Sequence, residues 1–224
     1  SVDWMILRAG KVTASEMDAL VSPTGKVRDS EGVTTYLHQK LCERWSGGPL
    51  PSLQGIFDVD QGRILEERAK PAFTIHTGIE IENVAFIETD DHQAGCSPDA
   101  LIGRQSGCEI KCARMENSIG YLLGGRLPKQ YVAQVQFCMH VTGFSTWHFF
   151  SYNRQLPPFH LVVERDDKFQ AAIGEALTGF LEQFDAGWKK LCDMNGGPPA
   201  RRPQQILMDG EPKPAFIDPD DYRV

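Results

Sequence analysis

The stretch CSPDALIGRQSGCEIKC, residues 96–112, decides the fold. Its segment GRQSG separates two apolar runs and predicts a tight turn between two short strands. Nine residues lie between Asp99 and Glu109, so pairing of these strands brings the two carboxylates side by side. Alternate residues of a strand point to the same face, and Glu109 and Lys111 therefore project together while Ile110 faces the buried side.

Two adjacent carboxylates repel one another unless a cation joins them, and hard oxygen ligands suit Mg²⁺. Asp99 and Glu109 are therefore candidate metal ligands, and the amine of Lys111 can orient a water that attacks phosphorus. This pattern is typical of a metal-dependent nuclease. A surface hairpin with ordinary solvated charges is compatible with the same sequence. The sequence around the hairpin therefore has to distinguish a nuclease site from a surface hairpin.

The remaining sequence predicts helices and strands in alternation. Helices are expected from a capping-box start near Thr13, from Ser30 to SGGPLP, over about 57–70 with an end near Pro71, over 129–141, and across DDKFQAAIGEALTGFLEQFDAGWKKL. Strands are expected in NVAFIETDD, AGCSPDALIG, GCEIKCA, TWHFFSYN and FHLVVERD. This order predicts an α/β fold with a mixed central β-sheet flanked by helices.

Length and composition narrow the class of protein. The 224 residues favour a single domain over residues 1–195, followed by a Pro-rich tail over 196–224. The net charge of −7 argues against a simple cationic nucleic-acid binder, so any DNA contact is expected to be local. We find no apolar run near the roughly 18 residues of a membrane span and no signal-peptide pattern, which predicts a cytoplasmic protein without a membrane partner.

The six cysteines form no disulfide-scaffold pattern and are expected to be reduced. A zinc site is the alternative, built from His92, Cys96, Cys108 and Cys112. No CxxC pair supports it, and the spacings suit buried strand cysteines better.

Other polar side chains can complete a site around the hairpin. Glu66 is expected on the third helix and Gln134 on the helix after the hairpin, with Tyr131 one turn before Gln134 on the same face. Arg8 precedes Ser15 at the start of the first predicted helix, where a guanidinium, a hydroxyl and free N–H groups suit a phosphate. Each of these residues also has an ordinary account as a surface or packing residue.

These pieces occur together, in the same order, in one known family. The chain resembles the phage lambda exonuclease family, the alkaline exonucleases of phage recombination systems, in WMILRAGKVTAS, the helix carrying Glu66, GCSPDAL, CEIKC, LGG, YVAQVQ and VVERDDKF. The resemblance runs from Trp4 to about residue 190. It implies a restriction-endonuclease-like nuclease core of the PD-(D/E)xK type.

The resemblance sorts the candidate residues into three groups. It implies a metal held by Asp99, Glu109 and the backbone carbonyl of Ile110. It implies further catalytic residues, namely Lys111 at the attacking water, Glu66 and Gln134. It implies a pocket for a 5′-terminal phosphate made by Arg8, Ser15 and Ser97.

The sequence departs from the family pattern in a few places. Ala100 stands where the family commonly has glycine, and Ala113 stands where a proline is usual. No arginine aligns cleanly with the family's additional phosphate-binding arginine. Arg114 is the candidate replacement, and Tyr131 is a second candidate DNA contact.

The activity implied by the resemblance is Mg²⁺-dependent digestion of one strand of linear double-stranded DNA in the 5′→3′ direction. It starts from a 5′-phosphorylated end and leaves a 3′ single strand for recombination. Two Mg²⁺ ions per active site are expected, with Mn²⁺ able to substitute. The implied partners are a single-strand annealing protein and further copies of the chain in a homotrimeric ring, in the cytoplasm of a bacterium or a phage-infected cell.

Two other functions stay open. An endonuclease of the restriction or branched-DNA type would share the nuclease core but would cut closed circular DNA. A non-catalytic DNA-end-binding protein would not need an intact set of metal ligands, and the set in this sequence is intact.

Overall fold

The computed structural model describes residues 2–50 and 68–199 of the chain, with side chains from residue 4 onward. Glu66 and the tail from residue 200 lie outside the described residues. The helices are α1 Val2–Arg8, a 3₁₀ helix Ala14–Ala19, α2 Glu31–Ser46, α3 described over 68–77, α4 Met115–Gly124, α5 Lys129–Thr142 and α6 Asp167–Asn195. The strands are β1 Val12–Thr13, β2 Ile87–Glu88, β3 Ala94–Cys96, β4 Ala100–Ile102, β5 Ser106–Lys111, β6 Thr146–Ser151 and β7 Phe159–Glu164.

The described strands form two sheets, both with mixed strand directions. In the first, of order β1-β3-β2, β3 is parallel to β1 and antiparallel to β2. In the second, of order β4-β5-β6-β7, β5 is antiparallel to β4 and parallel to β6, and β7 is antiparallel to β6. The predicted α/β class with a mixed arrangement of strands is confirmed, and the strands are divided between two sheets.

Strand β5 has a partner on each side and a packed layer on each face. Ile110 of β5 lies in a buried cluster with Phe150 of β6 and Phe73 of α3. On the opposite face, Phe149 packs with Tyr121 of α4 and Phe159 of β7. The first five residues of the strand are buried in consequence, including the carboxylate-bearing Glu109.

The largest core cluster joins α5 and α6 to the N-terminal elements. The long helix predicted near the C-terminus is confirmed as α6, and it contributes Phe169, Ile173, Leu177 and Phe180 to this cluster. Asp166 caps α6 by accepting hydrogen bonds from the backbone N–H groups of Lys168 and Phe169 at 2.9 and 3.1 Å.

The N-terminal segment differs from the sequence prediction in two respects. Residues 2–8 form the helix α1, although no helix was predicted before Thr13. The helix after Thr13 is a 3₁₀ helix, and Thr13 makes no side-chain cap. Its hydroxyl donates instead to the carboxylate of Glu16 at 2.8 Å, so the two residues of the predicted capping box bond to each other.

Two other expectations about secondary structure were wrong, and one helix was not predicted. The third helix does not end near Pro71, because α3 continues to residue 77. Phe73, within this continuation, packs into the core. The run AGCSPDALIG is two strands in different sheets, β3 and β4, separated at Ser97–Asp99. Helix α4 was not predicted, because its sequence MENSIGYLLG contains two glycines and follows the hairpin without a capping side chain.

None of the helices in residues 2–50 and 68–199 is both long enough and apolar enough to cross a membrane.

The pairing of β5 with β6 leaves no room for a side chain at Gly107. A Cβ atom there would lie 2.3 Å from Cη2 of Trp147, whose indole is fully buried. We expect Gly107→Ala to lower the free energy of unfolding by about 1–3 kcal/mol, since overpacking forces buried groups to shift. The measurement is the urea midpoint at constant slope.

Gly120→Ala is the matched control. Gly120 sits inside α4, and apart from the backbone of that helix nothing in the described part of the chain lies within 4 Å of a Cβ placed there. Its free energy of unfolding should stay the same or rise by up to about 1 kcal/mol, because alanine has a higher helix propensity than glycine. Equal urea midpoints for Gly107→Ala and the wild type would contradict this prediction, because the indole of Trp147 would then move aside with no loss in the free energy of unfolding.

Candidate active site

Asp99 lies opposite the carboxyl-terminal half of β5, one residue before β4 begins. Its backbone N–H donates to the carbonyl of Cys108 at 3.1 Å, which continues the β4–β5 ladder by one step. Its Oδ2 accepts a hydrogen bond of 2.6 Å from the backbone N–H of Ile110. The strand pairing therefore aims the carboxylate of Asp99 at the segment that carries Glu109.

Glu109 is a buried carboxylate, only 2% exposed. Its Oε1 accepts a hydrogen bond of 2.7 Å from Nε2 of Gln134 on α5 and forms an ion pair with Nζ of Lys111. Its Oε2 is also buried, and no described residue supplies it with a hydrogen-bond partner. An unpartnered carboxylate oxygen in the interior is costly, so this atom requires a further ligand.

Electrostatics couple the three charged side chains. Burial and the charge of Glu109 raise the pKa of Asp99 to about 7, against the opposing effects of the Ile110 N–H and of Lys111. Burial acts to lower the pKa of Lys111, but Glu109 and Asp99 outweigh it and hold that pKa above its usual value. The Nζ of Lys111 also lies 5.2 Å from the ring centroid of Tyr131.

The residues fit a divalent cation. Two carboxylates share the site with one ammonium, which leaves negative charge uncompensated when both are ionised. The unpartnered Oε2 of Glu109 and the raised pKa of Asp99 both show that positive charge would be favourable here. Hard oxygen donors of this kind suit Mg²⁺.

A second cluster at the N-terminus brings the guanidinium of Arg8 together with two hydroxyl groups. Nη2 of Arg8 donates to Oγ of Ser15 at 2.7 Å and to Oγ1 of Thr13 at 3.3 Å. The guanidinium of Arg8 lies 4.2 Å from the ring centroid of Trp4, one helical turn earlier on α1. Burial lowers the pKa of Arg8, with the charge of Glu16 opposing this effect.

A buried ion network below this cluster fixes the hydroxyl of Thr13. Lys40 is 3% exposed, and its Nζ lies 2.8 Å from Oε2 of Glu16 and 3.0 Å from Oε2 of Glu43. Burial alone would raise the pKa of Glu16, but Lys40 and the hydrogen bonds from Thr13 and other residues hold it below its usual value. Because Thr13 donates its one hydroxyl proton to Glu16, its oxygen accepts from Arg8.

Trp4 connects the two clusters. Its Nε1 donates to Oγ of Ser97 at 2.8 Å, while its ring lies beside the guanidinium of Arg8. Ser97 is two residues before Asp99 in the segment between β3 and β4. The Arg8 cluster and the carboxylate pair are therefore neighbours linked by the side chain of Trp4.

The chain is similar to known proteins. Residues 3–145, more than half of the chain, match the YqaJ-like viral recombinase domain. The chain belongs to this family. The Escherichia coli (strain K12) protein ExoD is 33% identical to this YqaJ-like chain over 70 residues, which are 29% of this chain and 80% of ExoD.

Solved structures resemble the YqaJ-like chain over most of its length. The alkaline exonuclease LHK-Exo from Laribacter hongkongensis matches with a TM-score of 0.77 and 27% identity, over 88% of this chain and 98% of its own. The complex of LHK-Exo with dAMP matches with a TM-score of 0.76 and 28% identity, over the same shares. A phage-related exonuclease from Haemophilus somnus 129PT shares the fold, with a TM-score of 0.64, 14% identity, and coverage of 81% and 96%. This agrees with the restriction-endonuclease-like fold expected from the sequence.

The fold of the YqaJ-like chain brings most of the predicted site residues together. The first group surrounds the carboxylate pair and comprises Asp99, Glu109, Ile110, Lys111, Tyr131 and Gln134. The second group is Arg8 and Ser15, reached from Ser97 through Trp4. Arg114 is exposed at the N-cap of α4, and no hydrogen bond or ion pair of its side chain joins it to either group within the described part. Glu66 lies outside the described residues.

The sequence analysis gave no role in the site to three residues that shape it. Trp4, Thr13 and Lys40 carry the contacts that orient Arg8 and link it to Ser97. Trp4 and Arg8 are four residues apart, so a prediction of α1 would have placed them on one helical face. Nothing in the sequence pairs Lys40 with Glu16, which lies 24 positions earlier.

The zinc alternative is not supported by the described residues. Cys96 and Cys108 belong to different core clusters, and the ring of His92 bonds to Glu88 at 2.6 Å. In residues 2–50 and 68–199, no three His, Cys, Asp or Glu side chains are grouped so as to hold a metal ion. The carboxylate site has two acidic members in the described part of the chain.

Removing one charge of the carboxylate pair is expected to abolish cleavage without unfolding the protein. Glu109→Gln keeps the shape and the bond to Gln134 but removes one charge, and the remaining Asp99 and Lys111 form a balanced pair. We expect DNA cleavage to fall by more than about a hundredfold while the thermal midpoint stays near that of the wild type. Release of acid-soluble nucleotides and thermal unfolding are the two measurements.

Glu82→Gln is the matched control, since Glu82 is exposed and joins Leu101 of β4 only through its backbone. It should cleave at the wild-type rate. Substantial cleavage by Glu109→Gln would remove Glu109 from the catalytic set.

Proposed function

We propose that the protein is a Mg²⁺-dependent exonuclease that digests one strand of linear double-stranded DNA in the 5′→3′ direction. It starts at a 5′-phosphorylated end and leaves a 3′ single strand for recombination. The YqaJ-like domain and the likeness to an alkaline exonuclease establish that the chain is a deoxyribonuclease related to the exonucleases of recombination. The direction, the metal and the end requirement are the content of the proposal.

The residues around the carboxylate pair have separate tasks. Asp99, Glu109 and the carbonyl of Ile110 would hold Mg²⁺, with Mn²⁺ able to replace it. When bound, two such ions would supply the positive charge that stabilises the attacking and leaving oxygens of a phosphodiester. Gln134 keeps the carboxylate of Glu109 oriented through its 2.7 Å hydrogen bond.

Lys111 is placed to hold the attacking water. Its Nζ is anchored between Glu109 and the ring of Tyr131, and its pKa is raised, so it stays protonated at any working pH. A fixed ammonium can orient a water through hydrogen bonds and can stabilise the negative charge that develops on phosphate oxygens. Glu66 remains part of the proposed site by resemblance to the family.

The connection from Arg8 through Trp4 and Ser97 to Asp99 carries the proposal. The guanidinium of Arg8 beside the hydroxyl of Ser15 suits a phosphate dianion, which carries more charge than a phosphate inside a strand. Because this site adjoins the carboxylate pair, a bound 5′ phosphate would place the next phosphodiester near Asp99 and Glu109. The complex of LHK-Exo with dAMP supports a deoxynucleoside monophosphate as the product.

The first test uses linear duplex DNA labelled at one 5′ end or at one 3′ end. With Mg²⁺ and a 5′ phosphate, the 5′ label should be released first as a mononucleotide, and a chelator should stop release. Arg8→Gln should reduce the preference for a 5′ phosphate over a 5′ hydroxyl by about tenfold or more, since it removes a charge-assisted contact to the terminal phosphate.

The control variant is Arg28→Gln, which removes an exposed arginine that uses only its backbone in the described contacts. It should keep the full preference for a phosphorylated end. Cutting of closed circular DNA by the wild type would favour the endonuclease alternative, and release of the 3′ label first would contradict the proposed direction.

We also propose that three copies form a ring around DNA and that a single-strand annealing protein receives the exposed 3′ strand. The resemblance to the phage exonucleases motivates both. One surface feature supports an interface between copies. Met115, Ile119 and Leu123 recur every four residues on α4 and are 39%, 41% and 85% exposed. An apolar stripe of this kind commonly marks a protein–protein contact.

Light scattering of the purified protein tests the ring. The expected mass is three times the 25.0 kDa of one chain, and Leu123→Glu should lower it, because a charge on the stripe opposes burial. A wild-type mass of one chain at micromolar concentration would contradict the trimer. Gly120→Ala, on the same helix but without a change of charge, should keep the wild-type mass.

A further inference from the structure

A cavity of about 390 Å³ opens at the carboxyl ends of β5 and β6. It is lined by Cys112, Ala113, Tyr152, Asn153, Arg154 and Gln155. Strands β5 and β6 are parallel, and ligands of α/β proteins commonly bind in the crevice outside the carboxyl ends of such strands. The volume lies in the range of small-ligand sites.

The cavity begins one residue beyond Lys111. Lys111 pairs with Ser151 in the β5–β6 ladder, and the backbone N–H of Tyr152 donates to the carbonyl of Lys111 at 2.9 Å. Since β5 lies between β4 and β6, Asp99 is on one side of β5 and the segment 152–155 is on the other. The proposed 5′-phosphate cluster, reached through Ser97, is on the Asp99 side.

The wall of the cavity is held in place by one side chain. Nδ2 of Asn153 donates to the carbonyl of Ala113 at 3.1 Å, and its Oδ1 accepts from the backbone N–H of Gln155 at 3.0 Å. These bonds tie the segment after β6 to the segment after β5. Arg154, between the two bonded residues, is therefore carried on a fixed backbone.

The guanidinium of Arg154 faces no counter-charge among the described residues. Arg154 is exposed, and across residues 2–50 and 68–199 no carboxylate or carbonyl accepts a hydrogen bond or ion pair from it. The chain carries 30 acidic and 23 basic residues, so an unpaired arginine lining a cavity beside Lys111 contrasts with the overall charge. A planar guanidinium in that position suits a phosphate group.

We propose that Arg154 binds a backbone phosphate of the digested strand, on the 3′ side of the scissile phosphate. This inference rests on the proposed function, because that function sets the order of the phosphates. The 5′ terminal phosphate lies on the Asp99 side of β5, the scissile phosphate lies at Glu109 and Lys111, and the strand continues toward β6. The third phosphate from the 5′ end then falls on the cavity side, at Arg154.

The test pairs a protein variant with a DNA variant. Arg154→Gln is compared with wild type on 5′-phosphorylated duplex DNA in which the third phosphate is either natural or an uncharged methylphosphonate. Wild type should lose roughly tenfold in kcat/KM on the methylphosphonate, and Arg154→Gln should lose roughly tenfold on natural DNA. The variant should lose nothing further on the methylphosphonate, because the contact is already absent.

Two controls separate this contact from general effects. Arg104→Gln removes an exposed arginine in the turn at the other end of β5, roughly 17 Å away along the strand, and should keep the wild-type rate. A methylphosphonate at the tenth phosphate should affect wild type and Arg154→Gln equally.

Additive losses from Arg154→Gln and the methylphosphonate would overturn the assignment, as would a wild-type rate for Arg154→Gln on natural DNA. Those results leave the proposed function intact, since the wild type would still digest natural DNA from its 5′ phosphate. A wild type that releases no 5′ nucleotide from natural DNA overturns the proposed function itself and this inference with it.

Discussion

The burial of two carboxylates beside one ammonium is the constraint on which the site depends. Glu109 is almost wholly removed from water, and Asp99 faces it across the β4–β5 ladder, so burial and the charge of Glu109 together raise the pKa of Asp99. Lys111 and the amide of Gln134 offset part of this cost on one oxygen of Glu109. The other oxygen has no partner in the described part, and a cation is the natural complement to it.

The fold can hold these buried charges because the backbone around the site is fixed by hydrogen bonds and packing on every side. Strand β5 is hydrogen-bonded on both sides and packed on both faces, by the Phe73–Phe150 cluster on one and by Tyr121 and Phe149 on the other. Charged groups in such a frame cannot relax by moving apart. The frame thus keeps Asp99, Glu109 and Lys111 in one arrangement before any ligand arrives, which is the condition for electrostatic preorganisation.

Three basic side chains lie along the course proposed for the DNA strand. They are Arg8 at the end of α1, Lys111 on β5 and Arg154 just after β6. Local placement of this kind explains how a chain with a net charge of −7 can serve a polyanionic substrate. It also makes the contacts short-ranged, so added salt is expected to weaken them.

The sequence by itself determined the chemistry of the hairpin and the α/β class. Local alternation in GCEIKC and the turn residues GRQSG depend only on neighbours along the chain, so Asp99, Glu109 and Lys111 could be placed from them. Only the tertiary structure decided how the N-terminus reaches this site. Trp4 meets Ser97 across 93 positions, Lys40 meets Glu16 across two helices, and Tyr152 continues the ladder at Lys111, because these contacts arise from packing of distant segments that no local pattern encodes.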